Sequence, residues 1–413
     1  MPLRDCQQRA AAQPPAPLPP APPRTRCFHL DVWVHSRLKD YTPHELDLEL
    51  KEGTGPCLKP GVAYNIPAGH LEPILYQLQK QCEQGYLVEV QYEHGMWVSP
   101  AFGKSKGHGV CWPGTSILKF RILADLRKLN ASLKPPPAHW VDSCRDARQL
   151  TTEIPAGTKK FLPCDVGDAF STCKLTKRAQ KLCVIELNGR CFMYKGGPQG
   201  LAPMALFWNT HMQDIFYRVM ATHWRSMWVS FVDDNGVHGF TDEQVTGRAR
   251  ILSAILRATN KPHTFGTKGE GDNTWHAKPS DSMVLAGLHY SEKGITCNNE
   301  IIEALRRTLT TYKVKTKTDA QHVIGTIQYS HTAFSWTDRA YTRYSALMRV
   351  LTTAMIASET GKRLQWPQEC LEACQELHEH IANQPLASWS PQSLLTALTC
   401  FIAMMRLVSH YLW

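Results

Sequence analysis

Two acidic segments, each embedded in a β-rich apolar run, constrain this chain more than any other feature. The first is Phe161-Leu162-Pro163-Cys164-Asp165-Val166-Gly167-Asp168-Ala169-Phe170, in which an apolar strand delivers Asp165 and then turns at Gly167. The second is Trp228-Val229-Ser230-Phe231-Val232-Asp233-Asp234-Asn235-Gly236-Val237. Its two β-rich runs about a turn-forming Asp-Asp-Asn-Gly predict a hairpin with acids at its tip. Taken singly, an Asp-Asp in a turn is ordinary turn chemistry. Brought together on neighbouring strands, such carboxylates can bridge two divalent cations about 4 Å apart. Between the two lies Tyr194-Lys195-Gly196-Gly197-Pro198-Gln199-Gly200-Leu201-Ala202-Pro203, whose glycines let backbone approach a ligand and whose Gln199 could contact a nucleotide.

From about residue 117 to 240, short apolar runs alternate with helical stretches, which predicts a mixed α/β or α+β core with loops at one end. Upstream, His44 to Leu50 alternates polar and apolar residues as a half-buried strand does. Leu71, Ile74, Leu75, Leu78 and Cys82 recur at helical spacing until Gly85, before the strand-like Tyr86 to Val90. Residues 301 to 385 read as mostly helical, Ile301, Ile302, Leu305 and Leu309 sharing one face. Lys313, Lys315 and Lys317 alternate after them, as a solvated edge or a row tracking phosphates would. The eight prolines of residues 1 to 26 predict a disordered leader, with order expected from about residue 44.

Composition narrows the partners. Of 413 residues, 46 are Lys or Arg and 36 are Asp or Glu, a formal charge of +10 that favours polyanions such as nucleic acid. The fourteen cysteines show no paired C-x-x-C spacing, and no charged-then-apolar signal segment opens the chain, so a reducing intracellular setting, cytoplasmic or nuclear, is expected. Cys370, Cys374, His378 and His380 are the one group resembling a ligand set, and with no second ligand pair an amphipathic surface helix explains them better. Arg406 and His410 interrupt the apolar Leu394 to Trp413, predicting a terminal helix and no membrane span.

The ordered set Asp-Val-Gly-Asp-Ala-Phe, Pro-Gln-Gly and Phe-Val-Asp-Asp resembles motifs A, B and C of reverse transcriptases, most closely those of retroviruses and gypsy-type LTR retrotransposons. Trp97 to Phe102 and Phe120 to Asn130 resemble the fingers segments of that family, and Val284 to Leu288 with Gly294-Ile295 its primer grip. The resemblance continues weakly through Leu364-Gln365-Trp366 and covers roughly residues 41 to 385.

It implies an α+β right-hand polymerase with fingers, palm and thumb, its antiparallel palm sheet backed by helices. The expected layout is a leader over 1–40, fingers and palm over 41–300, a thumb-like helical region over 301–360, and the start of a connection segment with a terminal helix over 361–413.

Carried across by position, Asp165, Asp233 and Asp234 become the catalytic and metal-binding acids for two Mg²⁺ ions, or Mn²⁺, with Asp165 and Asp233 side by side. Asp168 and Ala169 would offer backbone amides to the triphosphate, and Phe170 would exclude a ribose 2′-hydroxyl. Gln199 and Gly200 would position the incoming nucleotide. Arg121 and Lys106 would bind the triphosphate from the fingers. The implied partners are a primed RNA or DNA template and deoxynucleoside triphosphates, without a membrane; the oligomeric state is left open.

Some features depart from the family pattern. The interval from Gly200 to Phe207 is about one residue short, Phe231 replaces the commoner Tyr, and an insert runs from Gly107 to Lys119. Lys268 and Lys278 both suit the role of proton donor to pyrophosphate. No ribonuclease H acidic set follows Pro385. The rival reading is a decayed or domesticated retroelement relic that binds nucleic acid without polymerising; an RNA-dependent RNA polymerase is a third.

Overall fold

Apolar runs rich in Val, Ile and Phe become strands, and amphipathic stretches become the helices that cover them. The structure is a computed structural model describing residues 29–55, 64–107, 109–143, 154–155, 157–266, 277–297, 303, 316–330, 338–357 and 368–383.

Along the chain come α1 (Leu30–Leu38), α2 (Leu71–Glu83), β1 (Leu87–Val90), β2 (Val98–Ser105), β3 (Phe120–Ala124), α3 (Arg127–Ser132) and α4 (Ala138–Ser143). Next are β4 (Lys160–Val166), α5 (Lys177–Leu182), β5 (Val184–Leu187), β6 (Arg190–Tyr194), α6 (Met204–Met220), β7 (Trp228–Phe231), β8 (Asp234–Gly239) and α7 (Asp242–Ala258). Then follow β9 (His263–Phe265), β10 (Ser282–Leu285), β11 (Leu288–Ser291), β12 (Gly294–Cys297), α8 (Lys317–Ser330), α9 (Asp338–Ala357) and α10 (Gln368–Asn383).

The described strands form three sheets. One has the order β1-β6-β5-β2-β3, antiparallel throughout except for the parallel pair β2–β5. The second, β7-β8-β4-β9, is wholly antiparallel, and the third is the small meander β10-β11-β12. This is a mixed α+β fold with antiparallel sheets.

The alternation along β4 explains how the second sheet is covered on both faces. Leu162, Cys164 and Val166 point into the larger core, with Trp208 and Phe216 of α6 and Leu252 of α7. Phe161 points the other way and packs with Val229 of β7 and with Met283, Leu288 and Tyr290 of the meander. Residues of α8, α9 and α10 complete this second cluster. Asp165 shares the face of Phe161, but lies toward the end of the strand.

Several elements differ from expectation. Helix α1 falls inside the expected leader; its Val34 is fully buried, and Arg257 of α7 anchors Asp31 at 2.8 Å. Leu46 and Leu48 are buried as alternation predicts, yet the segment forms only isolated bridges, Leu46 to Leu175 and Leu50 to Leu133. Lys317 opens helix α8 and so does not continue an extended row.

Lys313, Lys315, Lys268, Leu364-Gln365-Trp366 and residues 394–413 lie outside the described residues, as do the side chains of His378 and His380. Cys370 and Cys374 are buried in the second cluster. Among the described residues, no helix is long and apolar enough to cross a membrane.

Candidate active site

The acids meet where β4 and β8 run side by side. Asp165 and Asp234 are direct cross-strand partners, so their side chains leave the same face of the sheet, with Cβ atoms about 5 Å apart. Asp165 is also opposite Thr264 of β9. Asp233 sits beyond the strand pair, in the two-residue turn between Phe231 and Asp234, where its carbonyl accepts from the Val166 amide at 3.3 Å. Asp234 is therefore the register partner of Asp165, while Asp233 is exposed at the tip and joined to the end of β4 through its backbone.

The hairpin turn also lies earlier than composition suggested. Val232 and Asp233 form it, while Asn235 and Gly236 belong to β8. Val232 has φ 53°, a left-handed conformation that a β-branched residue adopts at a cost. The Trp208 indole N–H donates to the Val232 carbonyl at 2.6 Å and holds the turn from below.

Asp168, at φ 47°, provides the left-handed residue of the other turn, a role expected of Gly167. It opens a short 3-10 stretch, Ala169–Thr172, in which Ala169 is buried and Phe170 meets Trp208 edge-on at 6.4 Å. The buried Gly196 and Gly197 press against this stretch, and the Gly197 amide donates to the carbonyls of Phe170 at 3.0 Å and Cys173 at 2.9 Å. A Cβ on Gly196 would collide with the Ser171 carbonyl. These glycines thus bring backbone close to backbone, and Gln199 and Gly200 stand exposed beyond them.

The β2–β3 hairpin faces the acids. Lys104 pairs with Arg121 in its register, and the Lys106 amide continues the ladder to the Lys119 carbonyl at 3.0 Å. Paired residues share a face, so four cations line one side of the hairpin, away from Phe120 and Ile122 in the core. Among the described residues none of the four is in an ion pair; Lys119 lies 4.5 Å over the Trp112 ring. Enclosure, then the charge of Lys119 and less so of Arg121, holds the Lys106 ammonium below the usual lysine range, while Asp168 and Asp165 act in the opposite direction. That opposition places Lys106 within electrostatic reach of both acids.

A cavity of about 650 Å³ adjoins these residues, lined among others by Tyr64, Phe102, Leu123, Arg127, Gln199 and Gly200. Inside it Asp125 accepts from Tyr64 Oη at 2.7 Å and from Arg127 Nε at 2.8 Å, which keeps its carboxyl well below the usual range. Asn130 clamps the Gly-rich loop, donating to the Gly200 carbonyl and accepting from the Ala202 amide, both at 2.9 Å. Asn130, Trp208, Lys104 and Lys119 were not singled out from sequence. The signal for Asn130 was its place in the Phe120 to Asn130 segment, but the others need the fold.

Among the described residues, no group of three or more His, Cys, Asp and Glu side chains gathers closely enough to hold a metal ion. The carboxylates of Asp165 and Asp234, with Asp233 in the adjoining turn, are hard oxygen donors of the kind that suits Mg²⁺, which takes one or two carboxylates and draws its remaining ligands from water and phosphate. Lys278 is exposed and lies before β10.

Solved structures share this architecture. The foamy viral protease-reverse transcriptase in complex with an RNA/DNA hybrid superposes with a TM-score of 0.56 at 15% identity, covering 83% of this chain and 40% of that one. A foamy viral protease-reverse transcriptase dRH in complex with double-stranded DNA gives 0.56 at 14% identity, over 85% of this chain and 56% of that one. The foamy viral protease-reverse transcriptase in complex with double-stranded DNA gives 0.53 at 13% identity, over 89% and 70%.

The fold is therefore reverse-transcriptase-like. At these identities the likeness is one of fold, and the chain spans 40% to 70% of the length of the proteins it matches. No protein-family model matches it, and no curated protein does.

Proposed function

We propose that the chain is an RNA-directed DNA polymerase of a retroelement, adding deoxynucleotides to a primer annealed to an RNA or DNA template. One observation carries this reading: Asp165 and Asp234 are cross-strand partners on one face of the β4–β8 pair, with Lys106 and Arg121 across from them on the β2–β3 hairpin. An acidic floor beneath a cationic roof is what joining a polyanionic triphosphate to a primer hydroxyl requires. In this reading the five-stranded sheet belongs to the fingers, the four-stranded sheet is the palm floor, and helices α8 and α9 belong to the thumb-like region.

Asp165, Asp234 and the exposed Asp233 would hold Mg²⁺, whose chemistry there is to acidify the primer hydroxyl and neutralise the triphosphate. Lys106 and Arg121 draw the β- and γ-phosphates toward the hairpin, the guanidinium being able to grip two oxygens at once. Asp168 and Ala169 turn their backbone toward the same phosphates, and Gln199 and Gly200 bound the nucleotide on the side of the Gly-rich loop. Phe170, braced by Trp208, forms the wall against a 2′-hydroxyl. The primer 3′-oxygen bonds to the α-phosphorus, the bond to the bridging oxygen breaks, pyrophosphate leaves, and the hydroxyl proton passes to solvent.

The test is primer extension on poly(rA)/oligo(dT) with dTTP and Mg²⁺, beside an Asp165→Asn variant. Template-dependent extension by the wild type alone, with primer-template binding retained by both, is the expected result. Binding without extension in both proteins would favour the relic and overturn the polymerase reading.

A further inference from the structure

A second cavity, of about 520 Å³, lies under the turn that carries Asp168. Its walls include Ser171 and Thr172 of that turn, Tyr86, and three lysines, Lys174 just before α5, Lys177 at its start and Lys195 after β6. Glu45 is the one carboxylate among its lining residues.

Among the described residues none of the three lysines is in an ion pair, although neighbouring cations are neutralised. Arg178 is taken by Asp47, with Arg178 Nη2 at 2.5 Å from Asp47 Oδ2. Lys195 is half-buried and its Nζ donates to Gln180 Oε1 at 3.1 Å; Gln180 is itself buried and donates to the Leu175 carbonyl at 2.8 Å. Burial and the nearby charge of Lys177 both hold the Lys195 ammonium below its usual range.

Behind the wall a fourth ammonium, of the buried Lys261, donates to Thr172 Oγ1 at 2.8 Å, likewise with no carboxylate partner among the described residues. Lys174 and Lys177 are exposed and Lys195 is half-buried, so an anion entering the cavity would meet three cations against a single acid, and Ser171 lines the same space.

We propose that this cavity is a binding site for a phosphate group, separate from the acidic cleft between β4 and the β2–β3 hairpin. Three ammonium groups and the Ser171 hydroxyl match the oxygens of a phosphate, which a strongly hydrated point charge such as lysine binds without a fixed fork; the Thr172 hydroxyl is already given to the Ala169 carbonyl at 2.6 Å. The site is tied to the catalytic turn, because Ser171 and Thr172 follow Phe170 directly and the Thr172 amide closes the turn onto the Asp168 carbonyl at 3.2 Å. Tyr86 on the opposite wall feels the charge of Asp168. Occupancy thus changes the field on the turn from beneath. The phosphate can come from a free pyrophosphate or triphosphate, or from a nucleic-acid backbone.

The test is calorimetric titration of the full chain with sodium pyrophosphate in a chelator, where the metal-free acids of the cleft repel the probe. Wild type is expected to bind. Lys177→Ser, a change at an exposed position that leaves folding intact, should weaken binding about threefold, and Lys177→Ser with Lys195→Met about tenfold. The same changes made in a Lys106→Ala, Arg121→Ala background, where the hairpin can no longer hold the probe, should weaken binding by the same factors. No binding by wild type, equal binding by the pocket variants, or no binding at all in the hairpin background would each overturn the proposal, whatever primer extension shows.

A competing single-stranded oligonucleotide then separates the sources. Displacement that depends on Lys177 identifies a strand backbone as the occupant. Failure to displace identifies a free phosphate compound, and both results retain the site.

Discussion

Trp208 holds Val232 by its carbonyl at 2.6 Å, and in doing so one fully buried side chain reaches both acidic turns, since the same indole lies against Phe170. Val232 at φ 53° is a strained position that persists because its surroundings enforce it. In Trp208→Phe the ring packing largely survives and the N–H is lost, leaving a carbonyl without its donor. Urea unfolding should show a loss of about 1–2 kcal/mol. Primer extension should fall on the order of tenfold or more, because the turn carries Asp233 and Asp234 and small displacements of reacting groups are costly. A variant with wild-type extension would show that the bond braces the fold alone.

Gly196 is required for a steric reason. Its replacement by Ala drives a methyl group into the Ser171 carbonyl, which is backbone and cannot rotate away. Gly196→Ala should cost about 2–3 kcal/mol in thermal or urea unfolding. Gly189→Ala, at an open surface turn with φ 74°, should cost about 1 kcal/mol from backbone conformation alone.

Lys261 is buried beside Trp208, its Nζ 5.1 Å from the ring centroid, and burial holds its ammonium below the usual range. A lysine with a lowered folded-state pKa costs stability while both states are charged, and that cost fades as pH rises toward its unfolded pKa. Lys261→Met should therefore stabilise the protein at pH 7 by on the order of 1 kcal/mol, with the gain shrinking by pH 10. Chemical unfolding at the two pH values checks the sign.

His238 is fully buried in β8; among the described residues neither of its ring nitrogens has a hydrogen-bond partner, and burial, then the nearby Arg248, pushes its pKa down to about 4. Burial lowers His211 to about 3. Both remain neutral in the folded state but protonate near pH 6.5 when unfolded, so their stability contribution is complete above pH 6.5 and is lost as pH falls toward 4. His238→Phe should remove on the order of 3 kcal/mol from that acid limb, as measured by unfolding between pH 7 and 4.5. An unchanged acid limb would assign it to other groups.

The four cations of the β2–β3 hairpin predict a salt dependence. Lys104→Ala should weaken primer-template binding regardless of sequence and reduce the slope of log affinity against log salt by about 1. Trp112→Leu, which removes the ring contacts to Lys119 and Tyr76 but no charge, should leave the slope unchanged.

The strands that carry the acids were legible from residues alone because β4 and β7 are apolar runs with acids at or just beyond their ends. The position of the second turn was not. Asp-Asp-Asn-Gly has the composition of a hairpin tip, but the Trp208 contact and the pairing of Asp165 with Asp234 place the tip at Val232 and Asp233 instead. Helix α1 was hidden because its sequence has little amphipathic character and its support is tertiary, through Val34 and the Asp31–Arg257 pair. The cationic face depends on a register that joins Lys104 to Arg121 across a long loop, which spacing cannot supply.

The parallel pair β2–β5 also orders events during synthesis. Val98 to Pro100 await Val184 to Glu186, and β1 awaits β6, so the first sheet cannot close until the chain has passed through β4 and its acids. At about 5–20 residues per second, a nascent chain spends several seconds with β2 lacking its β5 partner. During that interval the edge of β2 that β5 will cover has no strand partner.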